Sequence, residues 1–383
     1  MRSLEAEITP QRLRERLDTM PALAAVRDAA GGLDLYLVGG AVRDLILGLG
    51  RIDLDLAVEA PGDAVAALAR RIDPGARVHE RFGTATAIAA GVPVDLAATR
   101  AEVYDSPGAL PRVEPAPIGD DLARRDFTVN AIAVRIADEP RPLDPHRGLA
   151  DLGAGLLRVL HERSFVDDPT RALRAARYAA RLALVLEPGT AELLRATDLE
   201  TVSAERVAAE LRRLAGEPDP PAALGLLVDW GLVEADVELA SAALAVLGEG
   251  RWSGIADPAA TFLAAAGATA GRYRVPAALD RARELASLPP AAPSELTACV
   301  RGRSGVELAI ARALGANWLD RYVAEWRDVR LEIGGADLLA AGVPAGPGVG
   351  RGLASALAAK LDGRAGSRDE ELAVALVAAR ADD

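Results

Sequence analysis

The chain has 383 residues, 50% of them hydrophobic and 26% charged, with a formal charge of -12. At roughly 100–200 residues per domain this predicts two to four domains, each with a core of its own, and the composition excludes wholesale disorder. A single cysteine, Cys299, excludes a disulfide framework or a Cys-rich zinc site and fits a reducing, cytoplasmic setting. The opening stretch MRSLEAEITPQRLRERLDTM lacks the apolar run of a secretory signal. Arg, Asp or Glu breaks every long apolar run before about 18 residues, so no membrane span is expected. The acidic balance and an aromatic content of 3% argue against a protein whose main business is gripping nucleic acid. Charge is uneven, however. Residues 141–215 carry 12 arginines and 11 acids, whereas the flanking segments are clearly acidic.

In chain order, residues 33–38 (LDLYLV) alternate and end at Gly39-Gly40, which predicts a strand and a turn. Residues 41–49 have helical apolar spacing. Residues 51–58 alternate strictly, with Ile52, Leu54, Leu56 and Val58 on one face. Residues 63–72 form an amphipathic helix, and 84–89 with 92–97 a hairpin around Gly91. Residues 105–118 contain four prolines and one glycine and read as a long mobile loop. From about residue 149 helical periodicity dominates. The expected class is α+β, a mixed-sheet head followed by an all-α remainder.

The strongest chemical constellation is Gly39-Gly40 followed by Asp53 and Asp55. Residues i and i+2 of a strand share a face, about 6–7 Å apart. Two carboxylates placed so can hold two divalent cations about 3.5–4 Å apart, the arrangement of in-line phosphoryl transfer. Hard oxygen ligands without His or Cys point to Mg²⁺, with Mn²⁺ as the alternative. The glycines let backbone N–H groups approach phosphate oxygens at a helix start. A solvated strand edge beside an ordinary turn would show the same residues; the glycine pair, the spacing and the hairpin favour the metal reading. Asp95, opposite in parity to Val92, Val94 and Leu96, would complete a catalytic carboxylate cluster or bond to local backbone. His79, His146 and His161 are scattered and suggest no zinc site.

Five segments then occur in order: LVGGAVRDLILG…DLDLAV (37–58), RRDFTVNAIA (124–133), LDPHRGLADL (143–152), DDPTRALRAARYAARL (167–182) and SAERVAAEL (203–211). They resemble motifs A to E of the bacterial class II tRNA nucleotidyltransferases and their poly(A) polymerase relatives. Weaker similarity returns at residues 333–353. The resemblance implies a polymerase-β-type nucleotidyltransferase head at 1–140, a base-reading neck at 141–215, a body at 216–290 and a tRNA-binding tail at 291–383, the last three all-α. It implies template-independent transfer of CMP and AMP from CTP and ATP to the 3′ end of tRNA. Variants adding only A, only CC or a poly(A) tract share the five motifs, and an inactive RNA-binding relative is a further alternative. No protein partner is implied.

By the same resemblance, Asp53 and Asp55 match the metal pair, and Gly39, Gly40 and Arg43 match residues around the triphosphate. Arg124, Arg125, Asp126 and Asn130 match the motif contacting ribose and phosphates. Asp144 matches a motif that coordinates head and neck, and would otherwise be a turn residue. Asp168 and Arg171 match the pair that reads the base edge; Arg donates and Asp accepts, which complements C or A. Asp168 before Pro169 is also a good N-cap, and one oxygen could cap while the other reads. Asp167 stands where the family commonly has glutamate. Arg171, Arg174, Arg177 and Arg181 fall within about 120° on a helix. That stripe could face tRNA phosphates, or be a face paired with neighbouring acids. Glu205, Arg206 and Glu210 match the last motif, implying that they brace the base-reading helix. Residues 105–118 occupy the place of the family's flexible loop, associated with adding the terminal A.

Overall fold

The computed structural model describes residues 8–49, 52–136, 139–274 and 278–381. Arg51, the first residue of the predicted strand 51–58, and residues 1–7 lie outside the described residues. The chain folds as two units, one of residues 1–233 with 270–273 and one of 234–269 with 274–383.

The first unit is built on a mixed sheet. Its strands are β1 (Leu35–Val38), β2 (Leu54–Val58), β3 (Arg77–His79), β4 (Thr84–Ala89), β5 (Val92–Ala98), β8 (Ala133–Arg135) and β9 (Pro142–Leu143). Their order is β3-β4-β5-β2-β1-β8-β9. All four residues of β1 are buried, because β1 lies inside the sheet with β2 and β8 antiparallel on either side. The two-residue period of a strand separates its faces. Leu35, Leu37, Leu54, Leu56 and Val58 join one core with Val65, Leu68 and the alanines of β4. Tyr36, Val38 and Ala57 face the other way, under Ile118 and Leu122 of the helix Ile118–Ala123. Asp55 shares the parity of Ala57. It therefore emerges on that second face, next to Asp95, its register partner in the parallel pair β2–β5.

Three sequence expectations change. Strand β2 starts at Leu54, so Asp53 precedes it; the Asp55 N–H donates to the Asp53 carbonyl at 3.1 Å, bending the backbone ahead of the ladder. Residues 105–118 are not one long mobile loop. Arg112–Pro115 form a strand, β7, paired antiparallel with β6 (Arg100–Val103), which leaves 104–111 as the connector. Pro115 is tolerated because this ribbon has only two strands and its outer edge needs no ladder donor. The helical part of this unit also carries a short parallel pair, Leu156–Leu157 with Val185–Leu186, rather than helices alone.

The second unit is predominantly helical. Trp252 is 0% exposed, and its indole N–H donates to Asp320, which also accepts from Arg312, both at 2.9 Å. Gly352 allows the helices Pro347–Leu361 and Arg368–Ala379 to touch; a Cβ there would lie 2.7 Å from the Ala375 carbonyl oxygen.

The central core gives a direct test of the face assignment. Leu56 is 1% exposed. Leu56→Ala should cost about 2–5 kcal/mol of stability, read by denaturant unfolding. A cost below about 0.5 kcal/mol, the range of surface substitutions, would contradict its place in the core.

Candidate active site

Gly39 ends β1 with a φ of +65°, and the helix Gly40–Leu47 follows at once. The positive φ is the constraint that favours glycine at position 39, and both glycines are also close to arginine side chains. A Cβ on Gly39 would lie 2.5 Å from Arg125 Nη1, and one on Gly40 would lie 3.3 Å from Arg43 Nη2. The glycine pair therefore makes room for two guanidinium groups.

These groups border a polar cavity of about 530 Å³. Of the site residues predicted from sequence, only Gly39 and Asp95 are not part of its wall. Asp53 and Asp55 lie in the same cavity as Asp168 and Arg171, although more than a hundred residues separate the two pairs in the chain. Asp95 borders a second cavity of about 340 Å³, with Thr84 and Thr86, and accepts a hydrogen bond from the Thr86 hydroxyl. Asp55, Arg124 and Arg125 belong to both cavities.

The carboxylates repel one another. Asp55 is pushed up to about 6, first by desolvation in the concave wall, then by Asp95 and Asp53, with Arg125 opposing. Its atoms still touch solvent; the shift reflects the low-dielectric wall around it. No group of three or more His, Cys, Asp or Glu is gathered as a metal-ligand cluster among the described residues. Asp53 and Asp55 present oxygen donors only, which fit a hard divalent cation whose shell is completed by other oxygen ligands.

Every predicted arginine of the wall has an anchor. Asp121, 1% exposed, accepts from Arg124 at 2.7 Å through one oxygen and from Arg125 at 3.0 Å through the other. Burial would raise Asp121, but Arg124 and Arg125 hold it below the ordinary carboxylate value. Arg125 keeps one buried donor, its Nε, without a partner. Arg43 is 1% exposed; it donates to Asn130 and Asp44 and lies over the Tyr178 ring at 5.5 Å. Asn130 donates in turn to Asp126 at 3.0 Å, and Arg174 grips the other oxygen of Asp126 at 2.6 Å. Arg171, 4% exposed, donates to Ser164 at 2.8 Å and to the Arg124 carbonyl at 2.7 Å.

Arg174, Arg177 and Arg181 of the stripe are paired with neighbouring acids. Arg177 pairs with Glu210 and Glu217, Arg181 approaches Glu217 at 3.8 Å, and Arg174 pairs with Asp126. The guanidiniums of Arg174 and Arg181 also stack over Tyr178. These side chains build the wall. Asp144 accepts from the backbone N–H groups of Gly148 and Leu149, so it caps a helix. Sequence reasoning missed Glu102, Tyr104, Asp121 and Tyr178. Asp121 had a signal: it lies three and four residues before Arg124 and Arg125, the spacing of helical ion pairs.

Residues 35–158 match the family described as the poly A polymerase head domain. Over these residues the chain is similar to that family. Over 209 residues the chain is 43% identical to an A-adding tRNA nucleotidyltransferase of Halalkalibacterium halodurans, covering 51% of this chain and 48% of that protein. It is 41% identical to a CC-adding tRNA nucleotidyltransferase of Deinococcus radiodurans over 54% of this chain and 56% of that one. The chain thus spans about half the length of the curated relatives it matches. A Thermotoga maritima CCA-adding enzyme complexed with tRNA shares the fold, with a TM-score of 0.72 and 26% identity over 98% of this chain and 97% of that one. The head and helical remainder predicted from the five motifs are therefore those of known tRNA nucleotidyltransferases.

The Asp126–Arg174 pair predicts a pH response. Burial would raise Asp126, but Arg174 and Asn130 override it and hold the carboxylate below its ordinary value. A depressed folded pKa contributes stability above the unfolded pKa and loses it as pH falls. The melting temperature of the wild type should therefore drop below about pH 4, and Asp126→Asn should flatten that acid limb while lowering stability at pH 7. Parallel pH curves for the two proteins would contradict the assignment.

Proposed function

We propose that this chain is a template-independent tRNA nucleotidyltransferase that transfers CMP and AMP to the 3′ end of tRNA. One observation carries the reading: the Asp53–Asp55 carboxylates and the Asp168–Arg171 pair line one cavity, and a second cavity meets it at Asp55. A nucleoside triphosphate fits the first, with its phosphates toward Asp55 and Arg125 and its base toward Asp168. The acceptor end fits the second. The acceptor 3′-hydroxyl passes its proton to Asp95, at the second cavity, and attacks the α-phosphorus; the bond from that phosphorus to the bridging oxygen breaks, and pyrophosphate leaves.

Asp53 and Asp55 would hold divalent cations, Mg²⁺ or Mn²⁺, whose charge when bound stabilises the developing negative charge on the phosphoryl oxygens. Arg125 lines both cavities and offers its guanidinium to a phosphate oxygen. Asp126 and Asn130 shape the wall toward the ribose. Arg171 is fixed at two points, so its guanidinium meets a base without first losing rotamer freedom. We assign the neck to 141–215, the body to 216–290 and a tRNA-binding tail to 291–383. We place the enzyme in the cytoplasm; Cys299 is a free thiol, and no helix among the described residues is long and apolar enough to cross a membrane. An enzyme adding A alone is the second reading, favoured by the 43% identity to an A-adding relative.

The test supplies purified protein and Mg²⁺ with tRNAs ending before CCA, after C and after CC, and with CTP, ATP or both. Stepwise extension of all three is expected. Extension of the CC-ended tRNA alone would select the A-adding reading, and no extension at all would end the enzyme reading. Asp53→Ala should lower turnover by about 10²-fold or more while tRNA binding survives. Equal loss of both would contradict a metal role.

A further inference from the structure

Three donors converge on one oxygen of Asp168. The Thr170 N–H at 3.0 Å, the Thr170 hydroxyl at 2.6 Å and Arg206 Nη2 at 2.8 Å all donate to Oδ1. A carboxylate offers about two lone-pair positions per oxygen, so Oδ1 is fully engaged. Oδ2 takes none of these bonds, and Asp168 lines the cavity. The two Thr170 donors are local and travel with the same turn. Arg206 comes from another helix, Ala204–Ala215, and so ties the carboxylate to an independent part of the unit.

Arg206 is itself held. Its other arm, Nη1, donates to the Gly108 carbonyl at 2.6 Å. Gly108 belongs to the connector between β6 and β7, and its N–H donates to the Val166 carbonyl at 3.2 Å. It has a φ of +69°, and a Cβ there would lie 2.7 Å from the Thr201 carbonyl oxygen. Only a glycine lets this backbone come so close. The planar guanidinium thus spans a fixed carbonyl and Asp168 Oδ1 in the fork geometry that arginine supplies and lysine does not.

We propose that Arg206 is the positioning residue that turns Asp168 Oδ2 toward the nucleobase, with the Gly108 carbonyl as its fixed support. The inference rests on the base-reading role proposed above for Asp168. C and A present an exocyclic amino group as a donor where U and G present a carbonyl acceptor. A correctly turned carboxylate oxygen accepts from the first pair and repels the second. If the carboxylate is free to rotate, that discrimination weakens, although neither Arg206 nor Gly108 touches substrate.

The test compares the wild type with Arg206→Ala, Arg206→Lys, Gly108→Ala and Asp168→Asn in single-nucleotide extension of tRNA with each of CTP, ATP, UTP and GTP. Nucleotide affinity, tRNA affinity and thermal midpoint are measured alongside. Arg206→Ala should reduce the kcat/KM preference for CTP and ATP over UTP and GTP by about ten- to a hundredfold. The loss should fall mainly on KM and nucleotide affinity, with tRNA affinity retained. Arg206→Lys, which keeps the charge but spans one acceptor, should give intermediate selectivity, and Gly108→Ala should move it in the same direction. If Arg206→Ala does not fold, the Lys and Gly108 variants decide the matter. Unchanged selectivity in the Arg206 variants, or a uniform loss with all four nucleotides, overturns the inference. Selectivity retained in Asp168→Asn would overturn the base-reading role itself. Selectivity lost in Asp168→Asn but kept in the Arg206 variants would overturn this inference alone.

Discussion

A buried guanidinium needs acceptors, and the cavity wall is organised around meeting that need. Leaving one partner of a buried ion pair uncompensated costs about 3–5 kcal/mol. The wall therefore carries an acid or carbonyl for each arginine: Asp121 for Arg124 and Arg125, Asp126 for Arg174, Asn130 for Arg43 and Glu210 for Arg177. The Arg43–Asn130, Arg174–Asp126 and Arg177–Glu210 contacts each join different parts of the first unit. A wall of arginines alone would repel itself, so it could not hold this geometry unpaired. Pairing makes the site stable while empty and leaves its geometry set in advance.

The same logic reinterprets the net charge of -12. Taken over the whole chain, it disfavours a nucleic-acid partner. In the structure many acids within the first unit are internal counterions, and others are the carboxylates at Asp53, Asp55 and Asp95. Asp55 is raised to about 6 because desolvation and two neighbouring carboxylates outweigh Arg125. Arg171, Arg174, Arg177 and Arg181 of the middle segment line the polar cavity of the first unit. Tyr178 shows the economy of the arrangement: it receives the Phe127 ring edge at 5.9 Å, three guanidiniums over its ring and a hydrogen bond from Arg174. In a chain with 3% aromatics, one ring organises four side chains.

Local patterning was a good guide where one neighbour decides the outcome. The alternation of residues 54–58 placed Leu54, Leu56 and Val58 in the core and sent Asp55 to the opposite face. Gly91 marked its hairpin, with a φ of +79° after Ala90 at +48°. Patterning failed at the ribbon β6–β7 because four prolines outweighed the short Arg112–Pro115 strand, whose pairing depends on a partner nine to fifteen residues away. It also extended the strand through Asp53, where a local hydrogen bond bends the chain.

The sequence by itself determined which chemistry the protein carries. The ordered motifs and the carboxylate pair follow from residue type and spacing, and the Asp168–Arg171 pair from the resemblance those motifs carry, because ligand chemistry is a property of the side chains. Only the tertiary structure decided what each side chain is free to do. Both Asp168 and Arg171 were visible, but not that Arg206 and Thr170 occupy one Asp168 oxygen and leave the other in the cavity wall. The arginine stripe was equally visible, but not the acids facing it. Hydrogen-bonding capacity is finite, and which partner fills it depends on elements brought together from 33 to 98 residues apart.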